Sequence, residues 1–213
     1  MSGHHGNFLW ETNGGGTAFS LSGDPRYTDP MTYYGPKELA AAFRTVRDNT
    51  IQVAEDIPEA HYGHRITPES RSVAETLAHI AVAPRFYEQV HFVENRSTMA
   101  GFDFFAFMAK QMAEVEAPRT KSQVLDFLRS EGERFAQELE GASEDFLAEL
   151  VQLPEGAMPP SKTRFEMLMG AKEHEMHHRA QLMMVERMLG ITPHLTRRMQ
   201  ERVAAMQGSQ AGR

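Results

Sequence analysis

The sequence predicts an all-α fold, a bundle of four main amphipathic helices, on three observations. Apolar residues recur at steps of three and four through four long segments, and no sustained apolar–polar alternation of strand type appears anywhere. Each segment is bounded by residues that start or stop helices. No internal repeat of about 20 to 50 residues points to a solenoid.

Residues 1–32 hold six of the 16 glycines together with Pro25 and Pro30, without a sustained apolar period, and read as a flexible arm outside the core. His4 and His5 in that arm read as ordinary polar sequence rather than a metal-binding tract. Pro36 suits the first position of a helix whose inner stripe is Leu39, Phe43, Val46, Thr50, Val53 and Ile57, ended by Pro58. Ser70 or Ser72 then caps a second helix with Val73, Leu77, Ile80, Tyr87 and Val90. Pro84 lies inside it and should kink it near Ala83 into two offset halves.

The segment Phe102, Phe104, Phe105, Phe107, Met108 and Met112 is too aromatic for a solvated loop and too irregular for a long helix. It reads as an apolar lid over one end of the bundle, in preference to a substrate-lining or dimer-contact segment. Thr120 or Ser122 opens the third helix, with Val124, Leu128, Phe135 and Leu139 on one face, and a short helical turn follows Ser143. After Pro154, Gly156, Pro159 and Pro160, the pair Thr163 and Glu166 has capping-box spacing and starts the longest helix, which Gly190 and Pro193 stop. A terminal helix carries Leu195, Met199, Val203 and Met206. The organisation expected is thus an arm at 1–32, one helical domain at 33–207, and a disordered tail at 208–213.

Composition narrows the function classes. With 213 residues, 41% hydrophobic and 24% charged, the chain has enough apolar side chain for one sizeable core. No apolar run is long enough for a membrane span and no signal peptide opens the chain, so it reads as cytoplasmic with no membrane partner. A net charge of −7 opposes a sequence-independent hold on phosphates, and nucleic acid is not an expected partner. Without cysteine the chain supplies neither a thiolate ligand nor a thiol nucleophile, and any metal must use histidine or carboxylate.

The chemistry concentrates on the longest helix. His174 and His178 stand at i, i+4 on the apolar stripe of Met167, Ala171, Leu182, Val185 and Leu189, so both rings are expected to point inward and to reach one divalent ion. Spacing alone carries little, because 10 histidines in 213 residues give roughly half an H-x-x-x-H match by chance; the apolar face supplies the specificity. His79, in the apolar run ETLAHIAVA, is the candidate third ligand from a facing helix. Three neutral imidazoles suit Zn²⁺, Ni²⁺ or Fe²⁺, one ion per chain, and leave a position open.

The stretches SVAETLAHI and HEMHHRAQLMMVERMLGITP together resemble the DinB-like, or YfiT-like, family of bacterial proteins over roughly residues 33–195. In that family a histidine of the second helix and a later H-x-x-x-H, usually followed by Arg-Gly-Gln-Leu, form a three-histidine metal site. The corresponding residues here are His79, His174 and His178, followed by Arg179, Ala180, Gln181 and Leu182, with alanine at 180 where glycine is usual. The resemblance implies a four-helix bundle with a long crossover between helices two and three, and a homodimer. It implies a metal-dependent enzyme with a small-molecule substrate. Members of known activity resemble S-transferases that join a low-molecular-weight thiol, such as bacillithiol or mycothiol, to an electrophile; others are regarded as metal-dependent hydrolases using an activated water. A metal-binding or interaction bundle without turnover is the third class.

Residues 174–178 also match H-E-x-x-H, the zinc metalloprotease signature with Glu175 as general base. Gln181 and Met184 break its extended form, only Glu186 or Glu201 would remain as carboxylate ligands, and the expected fold offers no strand to hold a peptide. Glu175 is kept as the candidate general base, although one step along the helix turns it about 100° from His174. His177 is expected to face away from the metal, and Arg179 to serve structure by pairing across helices.

Overall fold

The computed structural model describes residues 34–211, with side chains to 209; the arm expected at 1–32, and His4 and His5 with it, lie outside the described residues. Four helices form the bundle: α1 (Pro36–Asp56), α2 (Val73–Val82), α5 (Lys121–Gly141) and α7 (Arg164–Met188). The other elements are α3 (Pro84–Tyr87), α4 (Phe104–Glu116), α6 (Glu144–Ala148), β1 (Leu150–Gln152), β2 (Ser161–Thr163) and the terminal α8 (His194–Ala211). Both α1 and α2 pack against α5 and α7, so α1 lies diagonally across the bundle from α2, and α5 from α7. The fold is an all-α four-helix bundle with a crossover through α4 between the second and third bundle helices, α2 and α5.

Local chemistry sets most boundaries. Ser72, Thr120 and Thr163 each accept a hydrogen bond from the backbone N–H three residues on, while the side-chain oxygens of Glu75, Gln123 and Glu166 accept one from the cap residue's own N–H. Ser143 caps α6, and Gly190, at φ 78°, ends α7 in a conformation open to glycine. The second helix divides at Ala83 into α2 and α3, the position expected from Pro84; Ala83 keeps helical dihedrals, and the chain runs on through α3 into one wide-turned stretch at Glu88–Val93. The aromatic segment differs from expectation. It is the regular helix α4, capped by Asp103 and laid along α2; Phe86 meets Phe102, Phe104 and Phe107, while Phe105 projects into solvent. A partner ring outside the segment fixes these side chains, which its own spacing does not announce. The antiparallel β1–β2 pair was not expected either; three residues per strand are too few to show alternation. Finally, α8 runs through Gly208 to Ala211, beyond the expected end of the helical domain at 207.

Two apolar clusters make the core, one around Val53, Ile57, Leu77, Ile80, Leu128 and Val185, the other around Leu39, Phe43, Phe135, Leu139 and Leu168. A charged layer separates them. Arg47 of α1 donates from Nε and Nη2 to the Glu175 carboxylate of α7 at 2.9–3.1 Å, from Nη1 to the Leu128 carbonyl of α5 at 2.6 Å, and from Nη2 to the Ile80 carbonyl of α2 at 3.2 Å. One guanidinium therefore ties all four helices. The Ile80 carbonyl is available because Pro84, four residues on, has no N–H to offer it. Gly132 makes the room: a Cβ there would stand 2.8 Å from Arg47 Cγ. Arg179 closes the layer by donating to the Val46 carbonyl of α1 at 3.1 Å, a backbone partner where a carboxylate was expected.

Glu186, fully buried on α7, has neither carboxylate oxygen hydrogen-bonded. Burial, with Asp56 nearby, holds its carboxyl up at about 7, against an ordinary 4.5. Between those values the folded protein keeps a proton that the unfolded chain has released, so this group's contribution is complete below pH 4.5 and lost as pH rises through 7. Glu186→Gln is expected to stabilise the protein at pH 8 by on the order of 2 kcal/mol, several degrees in melting temperature, and hardly at all at pH 4.5. Melting curves at the two pH values check this; an equal shift at both would refute it.

Candidate metal centre

His79 comes from the last turn of α2, and His174 and His178 from successive turns of α7, the helix packed beside it. One ring nitrogen of each lies within 4.8 Å of the others, and they form the one such group of histidine or acidic residues among the described residues. The Nε2 atoms of His79 and His174 are 3.1 Å apart, and the three ring centroids stand 4.6–4.9 Å from one another. Two nitrogens bound to one tetrahedral zinc at about 2.0–2.1 Å lie roughly 3.3 Å apart, so the His79–His174 pair is spaced for a shared ion, with His178 close by.

Burial is the first cause of each ring's reluctance to take a proton. It brings His79 down to about 3 and His174 down to about 4 and lowers His178, and in all three cases the Arg71 guanidinium and neighbouring imidazoles add to the effect. At neutral pH the three rings are neutral and offer lone pairs. Gln181 sets one tautomer: His178 Nδ1–H donates to Gln181 Oε1 at 2.9 Å, which leaves Nε2 unprotonated, while the amide N–H donates to His177 Nε2 at 3.1 Å. Nδ1 of His79 and Nδ1 of His174 are buried without a partner among the described residues. Each such atom costs about 1–3 kcal/mol, a cost that a packing role leaves unexplained and a ligand on the opposite edge of the ring offsets.

The inner line of α7 differs from the expected stripe. Its centre is Leu168, Ala171, Glu175, Arg179 and Leu182; His174 and His178 are half-buried at its flank, facing α2. Glu175, the expected general base, is 1% exposed, and both its oxygens are taken by Arg47. The turn of about 100° per residue that brings His174 to α2 brings Glu175 to α1, so no base beside the imidazoles comes from it. Of the carboxylates a protease-like site would need, Glu186 is buried with Asp56 and Arg197 for neighbours, and Glu201 is exposed on α8. His177 is exposed, as its rotation predicts.

Beside the histidines lies a cavity of about 630 Å³, bordered by His178 and Gln181, by His64, Thr67, Ser70 and Arg71 of the loop before α2, and by Met112 of α4. The roles of Arg47 and Arg71 were not foreseen. Arg47 sits at an inner position of the first helix, one turn from both Phe43 and Thr50 at spacings of four and three, and that placement of a charge was the available signal.

A family model described as the DinB family matches residues 29–208. Among solved structures the chain is similar to a DinB-like protein of Bacillus subtilis, YjoA, at 21% identity over 73% of this chain and 93% of that one, with a TM-score of 0.54. It is also similar to YfiT of Bacillus subtilis, described as a probable metal-dependent hydrolase with an unusual four-helix bundle topology, at 14% identity over 77% of this chain and 94% of that one, with a TM-score of 0.57. No curated protein matches the sequence. Among the described residues no helix is long and apolar enough to cross a membrane.

Proposed function

The chain belongs to the DinB family, and on that premise we propose that it is a metal-dependent enzyme: His79, His174 and His178 hold one divalent ion, and a low-molecular-weight thiol bound there is transferred to an electrophile in the adjoining cavity. Zn²⁺ or Ni²⁺ suits three neutral nitrogen ligands, and Fe²⁺ is compatible. A divalent ion so held supplies Lewis acidity that lowers the pKa of a bound thiol or water.

The observation that carries the reading is a converging set of neutral imidazoles that no carboxylate of the described residues joins. With Glu175 engaged by Arg47, no acidic side chain of the described residues joins the imidazoles to take a proton from the nucleophile there. Such a site favours a nucleophile that loses its proton easily. A thiol, with an ordinary pKa of about 8.5, meets that condition far better than water at about 15.7. The chain itself contributes no thiol, so the sulfur must arrive as a co-substrate. His178, oriented by Gln181, stands between the imidazole cluster and the cavity, where the second substrate would lie.

Hydrolysis by activated water is the second reading, favoured by the description that YfiT carries. Either reading keeps a small-molecule substrate, a cytoplasmic location, and a second copy of the chain as partner; exposed Met199, Val203 and Met206 on α8 support self-association.

The test uses metal-loaded protein with 2-mercaptoethanol and 1-chloro-2,4-dinitrobenzene, in which a carbon–sulfur bond forms, chloride leaves and the thiol proton goes to solvent. The expected result is a rate above the protein-free reaction that is lost in the metal-free protein and in His178→Ala. A metal-dependent release of p-nitrophenol from its acetate without any thiol would instead support hydrolysis. Inactivity in both assays, with stoichiometric metal bound, would favour a bundle without turnover.

A further inference from the structure

The cavity beside the histidines carries a charge pattern that the transfer reaction alone leaves unexplained. Arg65 is committed to the loop: its guanidinium donates to the Ser70 carbonyl and, at 2.6 Å, to Glu75. Ser70 and Thr67 bond to each other through backbone and hydroxyl, and Val73 N–H donates to the His64 carbonyl at 3.0 Å, so the loop is held in shape before any ligand arrives. Arg71 differs. It borders the cavity, it is exposed, and no carboxylate of the described residues pairs with it. Glu69 borders the same cavity and forms no ion pair with Arg71.

Two further observations point the same way. His64 lines the cavity, and its Nε2 is buried without a hydrogen-bond partner. Arg71 also shares this cavity with His178 and Gln181, which puts its charge in the same space as the edge of the candidate metal centre. Besides these polar groups, Ile66, Val73, Met112 and Leu182 supply apolar wall. On a chain of net charge −7 an anionic small molecule finds little general attraction, and its recognition must rest on a local cation.

We propose that this cavity takes a small organic acid, its carboxylate seated on Arg71 with His64 beside it and its apolar body along Ile66, Val73, Met112 and Leu182. One guanidinium matches one carboxylate through two parallel hydrogen bonds, and a volume of about 630 Å³ lies in the range of small-molecule sites. That the far end of the acid reacts at the three histidines rests on the metal-dependent reading above; the carboxylate subsite does not.

The experiment is calorimetric titration of the full-length, metal-free protein with hexanoate, hexanamide and hexyl phosphate, using wild type, Arg71→Gln and His174→Ala, with metal content measured separately on reloaded samples. Hexanoate is expected to bind wild type and His174→Ala alike, to bind Arg71→Gln at least about tenfold more weakly, and to bind at least about tenfold more tightly than hexanamide. Arg71 is exposed, so Arg71→Gln should melt as wild type does, and its metal content should be unchanged. Equal affinity in wild type and Arg71→Gln, binding lost in His174→Ala but kept in Arg71→Gln, or no saturable binding of hexanoate would each overturn the proposal. Hexyl phosphate binding more tightly than hexanoate would overturn the carboxylate in favour of a phosphate monoester. Binding that depends on Arg71 in a protein that takes up no metal would leave this subsite standing and remove the metal-dependent reading. Stoichiometric metal with hexanoate binding indifferent to Arg71 would do the reverse.

Discussion

Replacing Arg47 by alanine is expected to cost about 3–5 kcal/mol, because it strands the Glu175 carboxylate in the bundle without its partner. The two side chains are only 4% and 2% exposed, so solvent cannot take over the charge. The same substitution removes the donors to Leu128 and Ile80, whose carbonyls face the bundle interior. Out of a total stability of about 5–15 kcal/mol, this loss is large enough to leave part of the protein unfolded at 37 °C. A rescue separates charge from packing: Arg47→Met combined with Glu175→Leu should recover most of the loss, since an apolar pair can replace a buried ion pair. Thermal and urea melts of the three proteins give the answer. An Arg47→Ala melting temperature within about 1 °C of wild type would mean that the charged layer contributes nothing to stability.

His79→Ala is expected to take bound metal from about one ion per chain to a residual level, as fully as His174→Ala or His178→Ala does. A zinc-finger site of four ligands yields about 10–16 kcal/mol, which puts a single imidazole near 3 kcal/mol and about two orders of magnitude in affinity. Gln181→Ala leaves all three rings in place and releases the tautomer of His178, so a loss of about ten- to a hundredfold is expected. Glu201→Ala should change nothing. Elemental analysis after reconstitution and gel filtration measures all of these, and metal retained in His79→Ala but lost with Glu201 would restore the protease-like arrangement of ligands.

The parts of this protein legible in its sequence are those that depend on near neighbours along the chain. Thr163 and Glu166 announce the start of α7, Gly190 its end, and the step from His174 to His178 a shared face. His79 was legible as a buried histidine on the second helix, and its meeting with α7 required the bundle to be assumed. What the sequence hides is the choice of partner across long separations. Arg47 and Glu175 are 128 positions apart, and although Arg47 stands out as a charge on an inner stripe, no local pattern names Glu175 as its partner. The stripe reading of α7 shared the same blindness: it placed the histidines at the centre, because charged residues at 175 and 179 were not expected there. The centre of α7 was open to charge only because Gly132 leaves room for a guanidinium between two apolar clusters. Likewise α4 was taken for an irregular lid, since Phe86, the ring that organises its aromatics, belongs to another element.

The histidines of α2 and α7 meet although 95 positions separate His79 from His174. An ion joining them ties a loop of that length, and the free energy of closing such a loop in a disordered chain grows with the logarithm of its size. The ion would thus act as a reversible cross-link in a polypeptide that has no cysteine with which to make a permanent one. Because the unfolded chain cannot hold the same three nitrogens together, every tenfold rise in free metal above the dissociation constant should add about 1.4 kcal/mol to the folded state, so that melting temperature itself becomes a gauge of metal supply.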